Sequence, residues 1–166
     1  MVDSTKITHT LKRLDGMYNN TSDIDLINWY SKLSMLEFCG WLETTMDSIV
    51  LSFSSRQLID QKYKDQCNKI LQKTHGFLYD GHFKEMLCKI IGLHNLEKIE
   101  TKIGMDNIET LNRELNKLWK LRSDLAHTFT DSMKVYMTSP STILNGNLVI
   151  LLPILNLIQT ELDEIQ

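Results

Sequence analysis

Ile108, Leu111, Leu115, Leu118 and Leu125 recur at intervals of three and four. That rhythm stacks side chains along one face of an α-helix, and only a helix sustains it over so long a stretch. One slot of the stripe, where another Leu is expected, holds Arg122. A guanidinium keeps its proton, so on an inward face it needs an anionic or strongly polar partner. His127 follows five residues later, about 140° around the helix, so the two side chains do not stack but can border one groove. Ser123 and Asp124 stand four and three residues before His127, within reach of its ring.

The rest of the chain reads in the same way. Seven Gly and two Pro in 166 residues leave little punctuation for a many-stranded fold. A hydrophobic share of 42% is ordinary for a soluble chain of one domain. Ser4 is expected to cap a first helix to about Tyr18, and Asp23 to open the longest, from Ile24 to about Phe53. Ser54 and Ser55 would cap a third, Arg56 to Lys73, stopped at His75-Gly76. Asp80 would cap a fourth, from about His82 to Gly92, with a continuation over Leu93–Ile103 across Gly92 as break or bend and Gly104 as the end. Asp106, paired with Glu109 in a capping-box pattern, would start the helix of Arg122. Residues 129–146 read as a long loop with a short helix near Ser141–Leu144. The last helix carries Ile150, Leu151, Ile154, Leu155, Ile158 and Leu162, with Pro153 best placed in its first turn or after a short extended piece at Leu148–Ile150. The expectation is one all-α domain spanning residues 1–166. A short helix over 4–18 precedes a core bundle over about 24–165, and the up-and-down bundle has five to seven helices.

Several function classes are disfavoured. A net charge of −3 argues against coating nucleic acid by bulk charge, although Arg113, Lys117, Lys120 and Arg122 form a local basic strip diluted by Glu114 and Asp124. Such a strip can contact a few phosphates, and equally can be a solvated helix face. Cys39, Cys67 and Cys88 are odd in number and lack CxxC spacing, as in reduced core thiols of a cytosolic protein. His75, His82, Cys88 and His94 lack zinc-ligand spacing, so no metal or other cofactor is expected. Met1–Asp15 has no apolar signal-peptide core, and no run of eighteen apolar residues occurs. A cytoplasmic protein without a membrane segment is therefore expected.

The stretch Leu121-Arg122-Ser123-Asp124-Leu125-Ala126-His127 resembles the Arg-x4–6-His signature of HEPN domains, all-helical bundles found in many prokaryotic RNA-cleaving toxins and phage-defence proteins. The resemblance extends over roughly residues 25–165, but its specific part is about ten residues. It implies RNA cleavage without a metal. The 2′-OH attacks the neighbouring phosphorus, His127 moves the proton as general acid or base, and Arg122 holds charge growing on the phosphoryl oxygens. The expected products are a 2′,3′-cyclic phosphate and a 5′-OH. It also implies a homodimer whose two motifs share one cleft, and an antitoxin or defence partner. Members of the family usually carry Asn, Asp or His after the Arg. Ser123 keeps a hydrogen-bonding group with less reach. In one toxin–antitoxin subgroup a Tyr two residues after the His receives nucleotides, and Phe129 lacks that hydroxyl.

Glu43, which follows Trp41-Leu42, and the weaker candidate Glu37 are the carboxylates on the long helix that could reach Arg122, the other reading of each being a surface carboxylate. The same residues admit another reading, in which Arg122 is a buried ion-pair member and His127 a helix cap. The chain is then a non-catalytic module that dimerises, binds RNA or docks on a partner enzyme.

Overall fold

The computed structural model describes residues 1–128 and 138–165, and among them every regular element is a helix. Helix α1 spans Thr5–Asn19, α2 Ile24–Gln57, α3 Gln61–Lys73, α4 Lys84–Ile103, α5 Met105–His127 and α6 Leu148–Asp163. The all-α bundle expected from the sequence is what forms. The segment 129–137, with Phe129, lies outside the described residues.

Helix α2 is the spine, touching α1, α3, α5 and α6. Phe38, Cys39, Leu42 and Met46 of α2 are buried with Leu111, Leu115 and Leu118 of α5 and Leu151, Leu155 and Ile158 of α6, all in one core. Burying a side chain of this size stabilises by roughly 1.5–3 kcal/mol, so this shared core sets where α5 lies against α2.

Helix boundaries depart from expectation wherever a competing polar group is better placed. Asp3, not Ser4, serves the start of α1, its carboxylate accepting from the Thr5 N–H at 2.8 Å. Asp23 caps α2 as expected, accepting from the N–H groups of Asp25 and Leu26. Helix α2 does not stop at Ser54-Ser55. Ser54 is buried, Ser55 donates back to the Ser52 carbonyl, and the break falls at residues 58–60, where Asp60 caps α3. Ile59 and Tyr63, read as apolar positions of that helix, are exposed.

Asp80 caps nothing. It sits in a wide π turn, Tyr79–Phe83, and accepts from the Asn112 side chain at 2.7 Å. Of the two roles expected for Gly92, break or bend, the structure shows a kink: its φ of +79° and ψ of 161° are not helical, a conformation that favours glycine, and they join two helical pieces within α4. The Asp106–Glu109 capping box does not form. Helix α5 begins one residue earlier, straight after Gly104 (φ +85°), without a side-chain cap.

A short turn, Pro140–Thr142, and a π turn, Ile143–Asn147, lead into α6 without an extended piece. Pro153 therefore lies inside the helix rather than in its first turn. Val149, whose carbonyl then lacks its usual donor, is exposed, so water can serve it. Together Pro140–Asp163 are long and apolar enough to cross a bilayer by length and composition, which counting consecutive apolar residues did not reveal. In this fold Leu151, Ile154, Leu155, Ile158 and Leu162 of that stretch are buried in the core.

Candidate functional site

Helix α5 carries the motif on two faces. Leu111, Leu115 and Leu118 are buried, Trp119 is half-buried, the Arg122 side chain is 38% exposed, and Leu125 beyond it is again partly buried against the core. Ser123, Asp124 and His127 are exposed. His127 is the last helical residue, since Thr128 turns extended (φ −103°, ψ 128°). Arg122 and His127 are thus separated by about 7.5 Å along the axis and about 140° around it.

Glu43 is the carboxylate that reaches Arg122, with Oε2 3.9 Å from Nη2. Glu37, six residues earlier on α2, is exposed and makes no ion pair among the described residues. The other oxygen of Glu43, Oε1, accepts the Gly76 N–H at 2.7 Å and so ties the α3–α4 linker to the same point. Beneath the guanidinium lies the Trp119 ring, 5.4 Å from Cζ to centroid. Phe77 meets that indole edge-on, and the His82 ring packs against it at 5.2 Å. His82 Nδ1 accepts the Leu78 N–H at 3.1 Å, which leaves the proton of the neutral ring on Nε2. Gly76 fits because it has no side chain: a Cβ there would lie 2.8 Å from both the His82 and Trp119 rings, and its φ is +125°.

The electrostatics follow from this crowding. Burial pushes the Cys39 thiol up to about 12, the Arg122 charge opposing and the Glu43 charge adding to the effect, so Cys39 stays a thiol. Asp47, one turn beyond Glu43, is also held above its usual value by burial and by the Glu43 charge, with His75 opposing.

The expected basic strip is partly neutralised. Arg113 Nε and Lys117 Nζ both lie 3.0 Å from Glu114 Oε1. Burial pushes the Glu114 carboxyl up, but hydrogen bonds from Lys117 and Arg113 outweigh it and hold the group below its ordinary value. Lys120 is exposed and has no ion pair among the described residues.

At the carboxyl end of α5, Lys32 of α2 donates to the Thr128 carbonyl at 2.9 Å. The Ser123 and Asp124 side chains make no hydrogen bond to the His127 ring among the described residues. The Asp124 carbonyl instead accepts from the Thr128 hydroxyl. Among those residues no three His, Cys, Asp or Glu side chains converge to hold a metal ion.

The structure therefore joins Arg122 to Glu43 and leaves His127, Ser123 and Asp124 on the surface. Trp119, Gly76, His82 and Lys32 were missed in the sequence. Only Trp119 carried a local signal, standing three residues before Arg122 on the same helix face. A scan against protein-family models finds no match, and searches of curated proteins and of solved structures find no significant relative.

Proposed function

We propose that the chain is a metal-independent endoribonuclease of the HEPN type, acting in a toxin or phage-defence system in the cytoplasm. His127 moves the proton of the attacking 2′-OH, and Arg122 neutralises charge on the phosphoryl oxygens. The observation that carries this reading is the state of Arg122. Its guanidinium is seated on Trp119 and directed by Glu43, yet among the described residues it spends no hydrogen bond. Its donors remain for the two-pronged contact that phosphate accepts.

His127 lies on a different face of α5 from Arg122, so a homodimer is part of the proposal: a second copy brings its motif alongside and the two complete one cleft. Leu121, exposed next to Arg122, fits an interface there. RNA is the substrate, and an antitoxin or defence partner restrains the enzyme.

The Glu43 contact favours a second reading, a non-catalytic dimerisation or RNA-binding module in which Arg122 is a structural ion-pair member. Cleavage assays on Arg122→Ala, Arg122→Lys and His127→Ala, with folding checked by circular dichroism, decide between the two. The ribonuclease reading expects each variant to stay folded and to lose roughly 10²–10⁴-fold in cleavage, with activity unaffected by EDTA. An unfolded Arg122→Ala beside a His127→Ala of unchanged cleavage makes the motif a structural ion pair and a helix cap and overturns the ribonuclease reading, whereas a folded chain that cuts no RNA leaves the module.

A further inference from the structure

The amino-terminal part of α2 carries a feature that the Arg122 seat does not explain. Trp29 is 53% exposed, an uncommon position for a residue whose burial is worth so much. Lys32 follows three residues later, a neighbour on the helix surface, and its Nζ reaches the Thr128 carbonyl, one residue beyond His127. An exposed indole, an ammonium and the His127 end of α5 thus occupy one corner of the molecule.

Lys32 has a structural task there, satisfying a carbonyl at the negative end of a helix dipole. That task uses one of three donors, and Lys32 makes no ion pair among the described residues. The remaining donors and the charge are available to an anion. An aromatic face beside a cation is the combination that holds single-stranded nucleic acid, a base stacking on the ring and the adjoining phosphate meeting the cation.

We propose that Trp29 and Lys32 form a binding subsite for single-stranded RNA, Trp29 stacking a base and Lys32 contacting the neighbouring phosphate, placed to lead the strand to His127. The subsite rests on the reading of RNA as substrate and adds to it a preference for unpaired strands. In a duplex the bases are already stacked on one another and offer no free face to Trp29.

The test is binding of a short 2′-O-methyl oligoribonucleotide, which lacks the attacking hydroxyl, followed by tryptophan fluorescence and anisotropy over a range of salt. Trp29→Ala is expected to weaken binding roughly 5- to 150-fold, the value of one stacked base. Lys32→Gln is expected to reduce the slope of log affinity against log salt by about 0.7, one phosphate contact on a single strand. Trp29→Leu keeps a large apolar side chain should the alanine variant fail to fold, and is expected to lose affinity as well. A duplex of the same sequence is expected to bind more weakly than the single strand.

Unchanged affinity in the Trp29 variants and an unchanged slope in Lys32→Gln overturn the subsite. If unmodified RNA is still cut, the ribonuclease reading survives that result. A lower melting temperature for Lys32→Gln without a change in slope makes Lys32 only a helix cap. A dimer that dissociates in Trp29→Ala while oligonucleotide affinity holds makes Trp29 a protein interface residue. A wild-type chain that does not bind the oligonucleotide also overturns the subsite. Conversely, Trp29-dependent binding with no cleavage of unmodified RNA upholds the subsite and removes the catalytic reading.

Discussion

Glu43 divides its two oxygens between neighbours that belong to different parts of the chain: Oε1 holds the Gly76 N–H at 2.7 Å while Oε2 stands 3.9 Å from Arg122. The closer contact is to backbone. The carboxylate is therefore anchored by the linker and steers the guanidinium from a distance.

A double-mutant cycle of Glu43→Gln and Arg122→Ala should consequently show weak coupling. Arg122 is more than a third exposed, so solvent screens the pair and the coupling energy is expected at or below about 1 kcal/mol. Urea melts of the four proteins give it directly. A coupling several times larger would mean that the ion pair, rather than the linker, holds Glu43.

Gly76→Ala is expected to be far worse. The new Cβ meets two rings at 2.8 Å and must adopt φ +125°. A residue forced into such a conformation costs about 1–3 kcal/mol, and here the displaced groups are the shelf under Arg122. Thermal melts should show the loss, with a matching fall in any activity that depends on Arg122.

Asp47 supplies a pH prediction. Its folded-state value lies above the ordinary 3.8 because of burial and the Glu43 charge. The folded chain therefore binds the extra proton more readily than the unfolded one. The penalty is absent below pH 3.8, grows as pH rises toward the folded value, and stays constant above it. Asp47→Asn should raise stability slightly at neutral pH, by less than about 1 kcal/mol for a half-buried group, and leave it unchanged in acid.

Glu114 predicts the opposite. Its folded value is depressed, so its contribution is complete above 4.5 and is lost as pH falls through the folded value. Glu114→Gln should destabilise by about 1 kcal/mol at pH 7, and the difference from wild type should close on acidification. Melting temperatures across the acid range test both carboxylates together.

Periodicity exposed the bundle, because apolar spacing is a local property that burial then enforces. Leu111, Leu115 and Leu118 are buried where the three-four rhythm puts them, and Asp23 and Gly104 punctuate the helices where expected. Ser4, Ser54 and Asp80 misled because capping depends on which polar group reaches a free N–H first, and Asp3, Asp60 and the Tyr79–Phe83 turn were better placed. Glu43 was legible as a partner for Arg122, but Gly76 and His82 were not. They reach Trp119 from more than thirty residues away, through packing that no local pattern encodes.

Gly104 has a kinetic consequence. It is the single residue between α4 and α5, so these two helices cannot wander apart in the unfolded chain, and almost no loop-closure entropy is spent in bringing them together. Helix α2 must meet α5 across a long separation in sequence, with the Glu43 contact its distant half. Local contacts form fast and remote ones slowly. The order of assembly expected from this is α4 with α5 first and α2 afterwards, with Arg122 receiving its shelf and its carboxylate late in folding.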